Sequence, residues 1–338
     1  MTVLAADSPD VQTLSRQRAA LSLAIGVLGI AWAAILVRWS GVSGMVSAFY
    51  RLAFAALVFV PWRLFAPRPS TRVTPAAKRA AIIAGVLFGA DLALYNSAVM
   101  ATNAANATLL GGNAPIFVAL GGWLMYGERP TRRFWLGFLL ALAGMIAIVG
   151  ADVVLHPSLG LGDALAVTGA VCYGAYILFV RRSREGMDTL TFSAVSTAVG
   201  AACLIPVCLI AGQPLTGFSA RSWSALVALA LISQVIGQLF IAHALGKLPA
   251  ALTSIVLLAQ APLTAALAWP LLGERIRPGQ LLGGALVLAG IGVVSLSRAA
   301  VSRRSSGSDY RDKPSSSLDG NAARARTSSR RAASRRAP

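Results

Sequence analysis

NAPIFVALGGWLMYGER at 113–129 returns in the second half of the chain as QAPLTAALAWPLLGER at 260–275. Asn113, Ala114 and Pro115 match Gln260, Ala261 and Pro262, and Gly127-Glu128-Arg129 matches Gly273-Glu274-Arg275, with one residue dropped between proline and glycine. Gly137 and Gly283 follow the two glutamates by nine residues, and Gly144 and Gly290, each closing a Leu-Ala-Gly triplet, by sixteen. Both copies lie in long apolar runs, so a hydrophobic unit has been duplicated. Duplicated apolar halves with matched helix-breaking residues point to a secondary transporter and to its binding region.

The composition places the chain in lipid. Of 338 residues 56% are hydrophobic and 12% charged, roughly half the charged share of a soluble domain. Ten apolar segments run near 20–37, 45–65, 80–99, 103–125, 133–150, 160–180, 190–211, 222–245, 249–272 and 279–297. Each can cross a hydrocarbon core of about 30 Å at about 1.5 Å per residue. They must be helices, because an isolated strand would leave its peptide groups unpaired in lipid. Arg16 and Arg18 before the first run imitate a signal peptide, yet that run has the length of a true span, and it is read as an uncleaved first helix.

Charge sets the orientation. With Arg51 set aside as intramembrane, the N-terminus and the links after spans 2, 4, 6 and 8 carry 14 Lys and Arg, against 4 in the remaining links, and the segment from Arg298 onward carries 11. The positive-inside rule then places both termini in the cytoplasm. Five spans per half is an odd number, so the second half enters from the side opposite to the first. The expected fold is an all-α integral membrane protein of ten transmembrane helices in two inverted five-helix repeats. Residues 1–18 are its cytoplasmic N-terminal segment, 19–150 and 151–298 its repeats, and 299–338 a disordered basic cytoplasmic tail. That Ser/Arg/Ala tail supplies +8 of the net charge of +18 and suits anionic lipid, so no nucleic acid is expected as a partner.

Few residues in the spans carry chemistry. Asn113 and Gln260 lie near the midplane, and Pro115 and Pro262 behind them cannot donate, which frees the carbonyls of Gly111 and Leu258. Irregular backbone at that depth belongs against protein or a wet cavity. Ordinary kinks with interhelical amide bonds remain the alternative. Arg51 and Asp91 are the charges deep in spans 2 and 3, and each needs a partner or water. Two readings stay open: a fixed salt bridge, or a functional pair in which Asp91 accepts a proton or the two receive the ends of a zwitterion. Tyr95 shares a face with Asp91, Asn106 with Asn113, Gln234 with Gln238, and Thr264 with Gln260. Trp32, Tyr173 and Tyr176 are candidate aromatic walls. Glu128 and Glu274, each beside an Arg at a helix end, are expected to make local salt bridges or caps that shape the turns. Gly85-x-x-x-Gly89 permits close helix packing and leaves a homodimer open.

The tandem halves, the intramembrane Arg of Phe49-Tyr50-Arg51-Leu52, the doubled Pro-to-Gly-Glu and Leu-Ala-Gly phrases, and the echo of Val37-Arg38-Trp39-Ser40 in Val180-Arg181-Arg182-Ser183 together resemble the drug/metabolite transporter superfamily. The resemblance is to its EamA-like ten-helix branch and covers about residues 19–298. It implies a pseudo-symmetric bundle with a central cavity, and export of amino acids or related small metabolites across the bacterial inner membrane, often in exchange for protons. No cofactor is expected.

Other classes fit less well. There is no Walker loop, no HExxH and no Ser/His/Asp grouping, and Cys172, Cys203 and Cys208, an odd set inside spans, argue against a disulfide framework or a metal site. Span 1 lacks the glutamate of small multidrug pumps, and one intramembrane Arg is too little cation for nucleotide sugars. An integral-membrane enzyme acting on lipid-linked substrates, and a scaffold or sensor working through the basic tail, remain as alternatives.

Overall fold

The first apolar run is not one helix but two, α1 (Pro9–Ala31) and α2 (Ala33–Ser40), separated at Trp32. No proline causes the interruption. The Thr264 hydroxyl, from far along the chain, donates to the Ala31 carbonyl at 2.8 Å and competes there for the helix's own acceptor. The computed structural model describes residues 9–67, 73–101, 110–149, 160–272 and 278–308. Residues 1–294 make one compact unit, and of the second, 295–338, the helical stretch ending at Ser308 is described.

After α2 come α3 (Gly44–Phe65), α4 (Pro75–Ala101), α5 (Ala114–Tyr126), α6 (Arg132–Val149), α7 (Leu161–Arg184), α8 (Thr189–Ile210) and α9 (Ala220–Ala228). A π-helical segment, Leu229–Gln238, continues α9 into α10 (Leu239–Leu245), and α11 (Ala250–Leu257), α12 (Gln260–Leu272) and α13 (Pro278–Ser308) complete the order. All regular structure among the described residues is helical. Six of these stretches are long and apolar enough to cross a membrane: 17–40, 44–65, 164–184, 189–210, 220–245 and 250–272. Helix starts carry the expected caps. Ser43, Asp188 and Ser219 accept from the backbone N–H groups of Val46, Thr191 and Ser222, which the first turn would otherwise leave unbonded. Outward faces present Leu57, Leu64, Leu124 and Ile210, side chains that belong against acyl chains.

Small residues set the closest contacts. A Cβ at Gly85 would sit 2.6 Å from the Ser196 carbonyl oxygen, and one at Gly89 3.2 Å from that of Gly200. The Gly85-x-x-x-Gly89 pair therefore packs against α8 of its own chain. A second crossing joins α6 to α13. There a Cβ at Gly137 would meet the Gly290 oxygen at 2.5 Å, and a Cβ at Gly144 would meet the Gly283 oxygen at 2.5 Å. The repeat equates Gly137 with Gly283 and Gly144 with Gly290, so each contact is the image of the other. Gly137→Ala and Gly290→Ala are each expected to lower thermal stability by about 1–3 kcal/mol or more, the cost of overpacking against rigid backbone. Gly292→Ala, where a Cβ would meet nothing within 4 Å, should melt as wild type.

The tail differs from expectation. α13 continues to Ser308, ten residues into the stretch read as disordered. A helix already nucleated by the preceding apolar run extends through Ala and Arg at little cost. The rest of that stretch lies outside the described residues.

Candidate functional site

The helical path breaks at both copies of the doubled phrase. In the first half the helix ends at Gly111, Gly112 and Asn113 form a turn, and α5 resumes with Pro115 in its first turn. The Asn113 N–H donates to the Leu110 carbonyl at 3.2 Å and its side-chain amide to the same oxygen at 3.4 Å. In the second half α11 stops at Leu257, Leu258 and Ala259 form the turn, and α12 begins at Gln260. Pro115 and Pro262 have no N–H to offer the carbonyls of Gly111 and Leu258 four residues back, and at the second break the Leu258 carbonyl instead accepts from the Ala261 N–H, an i→i+3 bond, at 3.2 Å.

The two breaks face each other across a cavity of about 200 Å³. Of the residues singled out from the sequence, Arg51, Asp91, Tyr95, Tyr173, Gln238, Gln260 and Pro115 line it. Asn113 does not, although its neighbours Gly112 and Ala114 do; its amide caps its own turn. Trp32, Gln234, Tyr176 and Thr264 do not line it. Pro262 packs on Gly284, where a Cβ would lie 3.2 Å from the proline ring. Asn106, and the Gly273-Glu274-Arg275 phrase, lie outside the described residues.

The wall is supported from several helices. Tyr176 stacks on Phe88 with centroids 4.6 Å apart and near Tyr173 at 5.8 Å, and its hydroxyl donates to Gln238 Oε1 at 3.4 Å. The guanidinium carbon of Arg51 lies 5.7 Å from the centre of the Phe88 ring, and Arg51 Nε donates to Gln234 Oε1 at 2.8 Å. Phe88, Ile30, Met145 and Ser254 also line the cavity. Nothing in the sequence marked these four, because apolar or small residues in a span look the same whether they face lipid, protein or a cavity.

The fixed Arg51–Asp91 salt bridge is not formed. Among the described residues the ion pairs are Arg181–Glu128 and Arg182–Glu185, and the Asp91 carboxyl group makes no hydrogen bond. Arg51 is drawn instead to Gln234 on the π-helical segment, a residue 183 positions away that spacing could not reveal. A guanidinium and a carboxyl group thus line one cavity without direct contact.

A charged pair joins α5 to α7. Gly127, at φ 68°, ends α5 in the left-handed conformation, and the Glu128 N–H returns to the Gly122 carbonyl. That glycine-ended cap fixes where Glu128 points. Its carboxylate takes both terminal nitrogens of Arg181 at 2.7 and 2.9 Å, and the same guanidinium lies 4.2 Å from the centre of the Tyr126 ring. The Tyr126 hydroxyl donates to the Leu178 carbonyl at 3.2 Å. Beyond the local salt bridge or cap expected at this turn, Glu128 thus makes a bidentate bond to the end of α7, where planar guanidinium and carboxylate match fork to fork. Elsewhere Tyr50, Phe54, Phe218 and Trp223 cluster, and the Tyr50 hydroxyl bonds the Leu215 carbonyl, fixing the 211–219 link.

Comparison with known proteins agrees with this architecture. The profile of the EamA-like transporter family matches residues 17–150 and again 160–296. The chain is 26% identical over 295 residues to a probable terminal-alkyne amino-acid exporter of Streptantibioticus cattleyicolor, covering 86% of this chain and 96% of the relative. It is 27% identical over 252 residues to the threonine/homoserine exporter RhtA of Escherichia coli strain K12, covering 72% and 79%. The uncharacterized transporter YyaM of Bacillus subtilis is 24% identical over 217 residues, covering 62% and 70%. A crystal structure at 23% identity superposes with a TM-score of 0.70 over 83% of this chain and 98% of its own, which speaks for the fold.

Proposed function

The chain belongs to the EamA-like transporter family, and from that premise we propose that it exports amino acids or related small zwitterionic metabolites from the cytoplasm by alternating access. It is a membrane transporter of small molecules, not an enzyme. In this reading its ten helices form two inverted repeats in a bacterial inner membrane, with both termini cytoplasmic. The matched glycine contacts of α6 and α13 support the inversion: a two-fold axis through that crossing exchanges one contact for the other. The 14-to-4 excess of Lys and Arg supports the orientation.

One observation carries the substrate reading. Arg51 and Asp91 line the same cavity without pairing with each other. A charge this deep costs at least about 2.5–3.5 kcal/mol on insertion scales, and two opposite charges held apart are complementary to the carboxylate and ammonium of an amino acid. A volume near 200 Å³ falls below the roughly 300–1,000 Å³ of drug-sized pockets, which favours a small metabolite. Once the ammonium has left, Asp91 is available to a proton. Exchange of substrate for proton at one carboxylate is a simple route to coupling. The cavity opens to the cytoplasm only when the Glu128–Arg181 tie parts, since that tie joins the two halves on the face read as cytoplasmic.

The test is counterflow in proteoliposomes with a panel of labelled amino acids, nucleosides and vitamins, with and without a pH gradient. L-threonine comes first, because one relative is named for it. Saturable counterflow of one or more amino acids is expected, and counterflow confined to nucleosides or vitamins would sink the substrate reading. A cytoplasm-active reporter should be on after Ser305 and off after Asp152. Activity at Asp152 would overturn the orientation.

A further inference from the structure

Between Leu229 and Gln238 the chain keeps a helical path but widens to i→i+5 bonding for ten residues. Such winding is rare, is usually limited to single turns, and concentrates at functional sites. The stretch LALISQVIGQ has no proline to impose it. What distinguishes it is its bonds to other helices. Ser233 Oγ donates to the Gly29 carbonyl at 3.0 Å, Gln234 accepts from Arg51 Nε at 2.8 Å, and Gln238 accepts from Tyr176 at 3.4 Å. One segment thus holds α1, α3 and α7 at once. Rewinding it as an ordinary helix would shift the register, and each residue of shift turns a side chain by about 100°. Gln234 would then leave Arg51.

Gln234 is 3% exposed and does not line the cavity, whereas Arg51 does. Among the described residues Arg51 makes no other hydrogen bond. A guanidinium donates from five N–H groups in a rigid fork, and its two terminal nitrogens match a carboxylate in a bidentate way. Fixing Nε from behind fixes the plane of that fork.

We infer that Gln234, set by the π-helical segment, is a positioning residue for recognition of the substrate's carboxylate: it pins Arg51 through Nε and leaves the terminal nitrogens for the cargo. This rests on the zwitterion reading above. Neutrality of residue 234 is part of the device, because a carboxylate there would itself occupy the guanidinium and compete with the cargo.

Two variants and two readouts test it. With L-threonine and threoninol, which replaces the carboxylate by a hydroxymethyl group, Gln234→Glu and Gln234→Leu should raise the KM for L-threonine about tenfold, the scale of a charge-assisted hydrogen bond. Threoninol as inhibitor should change less than about twofold. Separately, without any substrate, phenylglyoxal modification of Arg51 read by mass spectrometry should slow at least fivefold in Gln234→Glu. Equal Arg51 modification in wild type and Gln234→Glu overturns the inference, and so do equal shifts for threonine and threoninol, which indicate a merely structural role. If wild type counterflows no amino acid, the substrate reading fails by itself, while the modification arm still decides whether Gln234 governs Arg51.

Discussion

Asp91→Asn is expected to give a folded protein at wild-type level that has lost accumulation driven by a pH gradient and at least about tenfold of its kcat/KM for L-threonine. The Asp91 carboxyl group makes neither an ion pair nor a hydrogen bond among the described residues, so the isosteric amide removes no native contact and relieves the cost of a buried charge. What it removes, on the zwitterion reading proposed above, is the seat for the ammonium. Charge-assisted hydrogen bonds contribute about 1.5–3 kcal/mol, and each 1.4 kcal/mol is about tenfold, so a loss of roughly ten- to a hundredfold follows. The defect should depend on the cargo. A hydroxy-acid analogue that lacks the ammonium should lose little in Asp91→Asn and much in Arg51→Gln, whereas threoninol should show the reverse. If both variants fall equally for all cargoes, and protein level drops with them, the two charges hold helices together and do not read substrate.

How much of this was legible in the sequence can be judged residue by residue. The prolines at 115 and 262 and the apolar runs around them gave the broken spans, because a missing N–H and a steric clash act locally and leave the same mark wherever they occur. The matched glycines at 137, 144, 283 and 290 were visible as a pattern. That they meet each other in reciprocal pairs was not, since it follows from how α6 crosses α13. Long-range polar bonds were hidden altogether. Trp32 interrupts the first span because Thr264 bonds Ala31 from 233 residues away, and Arg51 turns to Gln234 although Asp91 was the obvious electrostatic partner. Local spacing was incomplete at Glu128: the turn suggested a local salt bridge or cap, and the side chain leaving a glycine-ended cap also reaches across to α7. In each case a short-range rule read correctly what the backbone does, and the packing of distant helices decided what the side chains do.

Crosslinking Glu128→Cys to Arg181→Cys is expected to reduce transport to background, and cleavage of the link to restore it. In wild type these residues meet through long side chains, so a direct disulfide would demand a Cα separation below about 7 Å, and a short, reducible bifunctional thiol reagent suits the gap better. The reasoning is geometric. α5 belongs to one half and α7 to the other, and rocking one half against the other must part every bond between them on the face that opens. A bidentate guanidinium–carboxylate pair reinforced by the Tyr126 ring can break and re-form, since Arg181 keeps 21% and Glu128 36% of its side chain exposed to rehydration; a covalent link cannot. The milder change Glu128→Gln should act on the population instead. At such partial exposure the pair contributes on the order of 1 kcal/mol, so its loss should raise the share of protein open on this face roughly fivefold. An impermeant maleimide applied from that face reads this directly at Ser254→Cys, in a background where Cys172, Cys203 and Cys208 are serine. Ser254 lines the cavity just four residues into α11 and is buried here, so faster labelling means that the face has opened. A crosslinked protein that transports at the wild-type rate would show that the cavity empties without parting α5 from α7, and the tie would then be a fixed corner of the bundle.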